Sequence, residues 1–136
     1  EVTGDCVVIG GGLVGAETAE YLANKGHQVT IVEMMDKIAA GESTTVLPLM
    51  MKDFADHNVK QLVNTKVDHI ENNIVYTAND QIKADTIINA LGSKKNIFDD
   101  SSITIPHVCV GDCSGERTAD IASAIRTAYH AANAID

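Results

Sequence analysis

The sequence predicts an α/β fold: a parallel sheet with helices on both faces, accompanied by a small antiparallel meander. Three observations point there. A short β-branched run, Cys6-Val7-Val8-Ile9, passes through a glycine-rich turn into apolar residues at helical spacing. A second run of the same kind, Val29-Thr30-Ile31-Val32, follows at once. Residues 60–83 then break into short alternating pieces separated by turn pairs.

Taken in order, Cys6 to Ile9 suit a strand buried on both faces, because the run is apolar throughout rather than alternating. Leu13, Ala16, Ala19, Leu22 and Ala23 recur at helical spacing until Gly26 ends the helix. Val29 to Val32 completes a βαβ unit, whose crossover is right-handed in nearly every known case. Met34 to Glu42 has no periodicity and reads as a loop. A helix capped by Ser43 to Thr45 should follow, burying Leu47, Met50, Met51 and Phe54, with Pro48 tolerated in its first turn and Asn58 as a left-handed stop.

The pieces Gln61–Val63, Val67–Ile70, Ile74–Thr77 and Gln81–Lys83, with turns at Asn72-Asn73 and Asn79-Asp80, are expected to form the meander. Thr86 to Leu91 resembles another buried parallel strand stopping at Gly92, and Ser93 to Ser102 is polar and marks a boundary. The last segment repeats the opening theme: a strand at Val108–Val110, a turn at Gly111-Asp112, and a helix from about Thr118 with Ile121, Ile125, Ala128, Ala132 and Ile135 along one stripe.

Composition narrows the function. With 136 residues and 45% apolar side chains, the chain can bury a core without disulfide or metal. Nineteen acidic against ten basic side chains give a formal charge of -9, which opposes binding to nucleic acid or anionic membrane. No apolar stretch approaches the ~20 residues of a membrane span, and Glu1-Val2-Thr3-Gly4 does not read as a signal peptide, so a cytoplasmic location is expected. Cys6, Cys109 and Cys113 match neither a C-x-x-C redox pair nor paired zinc spacing and read as reduced structural thiols. The five histidines are scattered, and no metal site or catalytic residue is assigned.

The glycine turn carries the chemistry. Gly10-Gly11-Gly12-Leu13-Val14-Gly15 has a strand before it, a helix after it, and Glu33 18 residues beyond its last glycine, close to the ~20 that a dinucleotide site uses. Gly10 permits the tight turn, Gly12 lets a pyrophosphate approach the backbone, and Gly15 lets the helix lie close on the strand. The phosphates would rest on free N–H groups at the helix start. A Rossmann-like NAD(H)-binding domain is therefore expected over residues 1–91. Glu33 can accept hydrogen bonds from a ribose but would repel a 2'-phosphate, by about 1 kcal/mol in water and up to ~4 at an effective dielectric of 20, so NADH is expected over NADPH. Lys37 reads as solvated. Glu17 either faces the cofactor or favours the helix dipole.

The segment Val8 to Glu17, the Thr30-Ile31-Val32-Glu33 strand end, Asn89-Ala90-Leu91-Gly92 and Val110-Gly111-Asp112 together resemble the two-dinucleotide flavoproteins, in which an NAD domain is inserted within an FAD domain. Thioredoxin reductases carry a C-x-x-C in the NAD domain and this chain has none. The likeness is to the C-terminal part of NADH:flavin oxidoreductases of the 2,4-dienoyl-CoA reductase and 2-enoate reductase type, relatives of old yellow enzyme. It implies that residues 92–136 are an orphaned strand and helix from an FAD domain, with Gly92, Gly111 and Asp112 near the cofactors and Asp112 on the FAD ribityl chain. It also implies a parent protein whose TIM barrel holds FMN and a [4Fe-4S] cluster, where an activated C=C bond is reduced. Alone, this chain is expected to bind NADH without turnover and to fold its orphaned helix back or pair it with another copy. A stand-alone NAD(H)-sensing module is the alternative, and a methyltransferase is third.

Overall fold

A computed structural model of the chain describes residues 1–94, 99–114 and 121–135, in two compact units, Glu1–Gly92 and Ser93–Asp136. The first unit contains strands β1 (Cys6–Ile9), β2 (Val29–Val32), β3 (Lys60–Leu62), β4 (Val67–Glu71), β5 (Ile74–Thr77), β6 (Gln81–Lys83) and β7 (Thr86–Asn89), with helices α1 (Leu13–Asn24) and α2 (Leu47–Asp56). Its parallel sheet has the order β3-β2-β1-β7, and β4-β5-β6 form an antiparallel sheet. In β1, Cys6 pairs with Val29 on one side and with Thr86 on the other.

Because β1 is covered on both faces, its alternating side chains enter two separate cores. Cys6 and Val8 pack with Ala16, Ala19 and Leu22 of α1, Ile31 of β2, and Met50 and Phe54 of α2. Val7 and Ile9 pack with Val32 and with Val75 of the meander, alongside Val67 and Ile82. The α/β class holds, with one correction to the layering: α1 and α2 share one face, and the antiparallel sheet covers the other in place of a helix. The meander's apolar residues face a single side and need a cover of their own, which the second face of β1 supplies.

A second correction concerns β3. Gln61 and Leu62 belong to the parallel sheet, where Leu62 pairs with Val32, rather than to the meander. The remaining turns follow the residue chemistry. Asn72 and Asn73 adopt φ of 48° and 61°, the left-handed pair that a tight hairpin turn needs. Asn58 ends the α2 region at φ 55°, and the Ser43 Oγ accepts the Val46 N–H at 3.2 Å just before the helix.

In the second unit, Gly111–Cys113 form one turn of 3-10 helix and α3 spans Ile121–Asn133. Val108–Val110 form no strand. A strand is completed by a partner's backbone, and the described residues of this unit hold no other strand. The expected helix start near Thr118 lies outside the described residues. On α3, which ends before the expected stripe residue Ile135, Ser123 is buried, whereas Ile121 and Ile125 are exposed, as is Ile135 beyond it. No helix among the described residues is long and apolar enough to cross a membrane.

Candidate functional site

Strands β1, β2 and β7 all point their carboxyl ends at one cleft of about 730 Å³, lined there by Ile9, Val32 and Asn89. Beside β1 the sheet order reverses, so the turns after β1 and β7 diverge and leave a crevice, the usual ligand position in open parallel sheets. Gly10, Gly12, Leu13 and Val14 form one rim, Glu33 to Met35 another, and Ala90 to Gly92 a third.

Each motif glycine has a measurable reason. Gly10 sits at φ 101°, and a Cβ there would lie 2.5 Å from the Ala90 carbonyl oxygen. The turn is pinned on both sides: the Gly10 N–H donates to the Val32 carbonyl at 2.9 Å, and the Ala90 N–H donates to the Ile9 carbonyl at 2.8 Å. At Gly15 a Cβ would fall 1.8 Å from the Gly10 carbonyl oxygen, so the first turn of α1 touches the preceding loop directly. Gly12 differs: a Cβ there would meet nothing within 4 Å, because the position opens onto the cleft. The Ala16 N–H is bonded to the Gly12 carbonyl at 2.9 Å. The earlier N–H groups of the helix lack an intrahelical acceptor and give its start a partial positive charge.

Glu33 is only 8% exposed yet lines the cleft. Its Oε2 accepts the Gly11 N–H at 2.6 Å and its Oε1 accepts the Met35 N–H at 2.7 Å. These two bonds fix the carboxylate between the glycine turn and the end of β2. Each oxygen retains further acceptor capacity for a ligand hydroxyl. Gly11 contributes through this bond rather than by lining the cleft, and a Cβ on it would come 2.5 Å from Ile38 Cδ1.

The remaining predicted site residues separate. Glu17 is exposed, lies beyond the first turn of α1 and is not among the residues lining the cleft. Gly92 does line it, at φ 84°. Gly111 and Asp112 belong to the second unit. Gly111 has φ 68° and donates its N–H to Thr127 Oγ1 at 2.8 Å; Asp112 is exposed.

The structure adds a fourth wall that the sequence motifs did not announce. Thr65 to Ile70 line the cleft, with the Thr65 N–H bonded to the Glu33 carbonyl at 2.9 Å and the Asn64 N–H to the Met35 carbonyl at 2.8 Å. His69 is held by stacking on Tyr76, with centroids 4.4 Å apart. No local pattern marks these residues; they reach the cleft because β3 joins the parallel sheet. Among the described residues, no group of three or more His, Cys, Asp or Glu side chains could hold a metal ion.

Comparison with known proteins yields a consistent set. The model of the family described as pyridine nucleotide-disulphide oxidoreductase matches residues 1–108. Bilirubin reductase of Mediterraneibacter gnavus is 45% identical over 140 residues, covering 98% of this chain and 22% of that protein. Cinnamate reductase of Clostridium sporogenes is 30% identical over 141 residues, covering 95% of this chain and 21% of its own length. The structure of a 2-naphthoyl-CoA reductase complexed with 2-naphthoyl-CoA superposes with a TM-score of 0.73 at 26% identity, over 99% of this chain and 22% of that one. This chain thus spans about a fifth of the length of these relatives.

Proposed function

Because the chain belongs to the pyridine nucleotide-disulphide oxidoreductase family, we propose that residues 1–91 are the NADH-binding domain of a flavin-dependent oxidoreductase and residues 92–136 the end of its FAD-binding domain. The observation that carries this reading is the pairing of an open Gly12 at a helix start with a carboxylate, Glu33, tied into the same turn. A bare backbone and unpaired N–H groups suit a pyrophosphate. A fixed acceptor nearby suits the two hydroxyls of a ribose. The cleft volume also falls within the ~300–1,000 Å³ of ligand sites.

On this reading each residue has a task. Gly12, Leu13 and Val14 present the helix start to the diphosphate. Glu33 accepts from the adenosine ribose and, by charge repulsion worth about 1 to 4 kcal/mol at ~4 Å, disfavours a 2'-phosphate. Gly92, at the far rim, would lie toward the reacting end. Bound NADH and flavin would supply the hydride chemistry, and the residues of this chain would contribute orientation and exclusion of the wrong dinucleotide. Residues available for the flavin are fewer: Asp112 is exposed, and the neighbouring Ser114 Oγ is buried with no hydrogen-bond partner among the described residues. A polar atom left this way suits a ligand or a segment of the rest of the flavin site.

Relatives named as reductases of bilirubin, cinnamate and 2-naphthoyl-CoA suit a parent polypeptide that reduces an activated C=C bond; passage of electrons through FMN and a [4Fe-4S] cluster is what the sequence resemblance alone implies. No residue described here is assigned to that step. Isothermal calorimetry tests the central claim. NADH should bind with at least severalfold higher affinity than NADPH, and a folded sample that gives no heat with either would overturn it.

A further inference from the structure

Residues 99–107 of the second unit contain neither helix nor strand, and one histidine spans the turn they make. The Ser101 N–H donates to Asp99 Oδ1 at 3.1 Å and the Ile103 N–H donates to the Asp100 carbonyl at 2.9 Å, which bends the chain back. Pro106, whose ring fixes φ, then leads into His107. The His107 ring reaches both parts of the turn: Nδ1 lies 2.9 Å from the Ile105 carbonyl oxygen, and Nε2 lies 2.9 Å from Asp100 Oδ2. A carbonyl oxygen and a carboxylate oxygen only accept. Both ring nitrogens must therefore donate, which a neutral imidazole cannot do and an imidazolium can.

We infer that His107 is a pH-sensitive clasp: as the imidazolium it ties the turn at Asp100 to the chain at Ile105, and loss of its proton releases one of the two ties. The inference uses no residue of the dinucleotide cleft and holds whatever that cleft binds. Among the described residues, Asp100 is the charged group that faces the ring. Asp99 is taken up by the Ser101 N–H, and the Cys109 thiol is pushed up by burial and stays uncharged. The bond to the Ile105 carbonyl, and then that to Asp100, hold the His107 pKa above its ordinary value, while the His107 ring holds that of Asp100 below its own. The histidine contribution is thus full below the unfolded-chain pKa and is lost as pH rises through the raised folded value. The carboxylate contribution is full above its unfolded-chain pKa and is lost as pH falls through the lowered folded value. The clasp is closed between these limits. With side chains 35% and 47% exposed, the pair is screened by solvent, so its effect belongs to the turn rather than to the melting of the unit.

The test is an NMR titration of the native chain that follows the two ring nitrogens of His107. Both should stay protonated up to a midpoint above that of the same residue in urea, and Asp100→Ala should bring the native midpoint down toward the urea value. Hydrogen exchange at the Ile103 N–H, corrected for its intrinsic rate, reads the turn itself. Below the midpoint this N–H should be at least severalfold better protected in the native chain than in Asp100→Ala, and above it the gap should narrow. In His107→Phe the corrected exchange should show no step over the same pH range. A His107 midpoint equal in native chain and urea, a midpoint unmoved by Asp100→Ala, or native Ile103 protection without a step would each overturn the inference.

Discussion

Two glycines of one turn and the carboxylate tied to it make separable predictions because their surroundings differ. Gly12→Val places a side chain in open space, so thermal unfolding of the free protein should be almost unchanged while dinucleotide binding is lost. Gly15→Ala drives a Cβ toward the Gly10 carbonyl oxygen, and overpacking of this kind costs about 1–3 kcal/mol. Denaturant unfolding should show that loss. Glu33→Ala removes the acceptor of the Gly11 and Met35 N–H groups together with the charge. Stability should fall, because two backbone donors lose their partner. Calorimetry should also show the gap between NADH and NADPH narrowing; a gap of unchanged size would remove Glu33 from the discrimination.

Between elements, the contact of α1 with α2 contains an unfavourable pair. Burial raises the pKa of Glu20, and Asp53 on the facing helix raises it further. A carboxylic acid whose folded pKa lies above its unfolded value favours the fold at low pH, and that contribution is lost as pH rises through the folded pKa. Glu20→Gln should therefore raise the melting temperature at neutral pH, with the difference shrinking as the buffer is acidified below the raised pKa. Elements whose signal is local were legible in the sequence. The β1-turn-α1-β2 unit was readable because glycines and apolar spacing define it within residues 6–33, and the Asn72-Asn73 hairpin because asparagine tolerates positive φ. Elements decided by distant partners were not. Lys60–Leu62 has too few residues for a pattern, and its sheet was chosen by pairing with β2. Val108–Val110 has the composition of a strand but no neighbouring strand in its described unit. The same limit hid the Thr65–Ile70 wall of the cleft, since burial on a meander says nothing about what lies across from it.

At the scale of the molecule, ligand binding and folding of the first unit should be linked. A dinucleotide bound to the native cleft and not to the unfolded chain adds about 2.7 kcal/mol at a hundredfold excess over Kd. NADH should therefore raise the melting temperature in a concentration-dependent way, and Gly12→Val should remove the rise. The strand order has a consequence for synthesis. Between Ile9 and Thr86 the chain builds β2 to β6, yet one side of β1 receives its hydrogen bonds only from β7. A nascent chain on the ribosome therefore carries an open apolar edge until β7 has left the exit tunnel. Products halted short of residue 86 should aggregate or recruit chaperones, while those that include β7 should not.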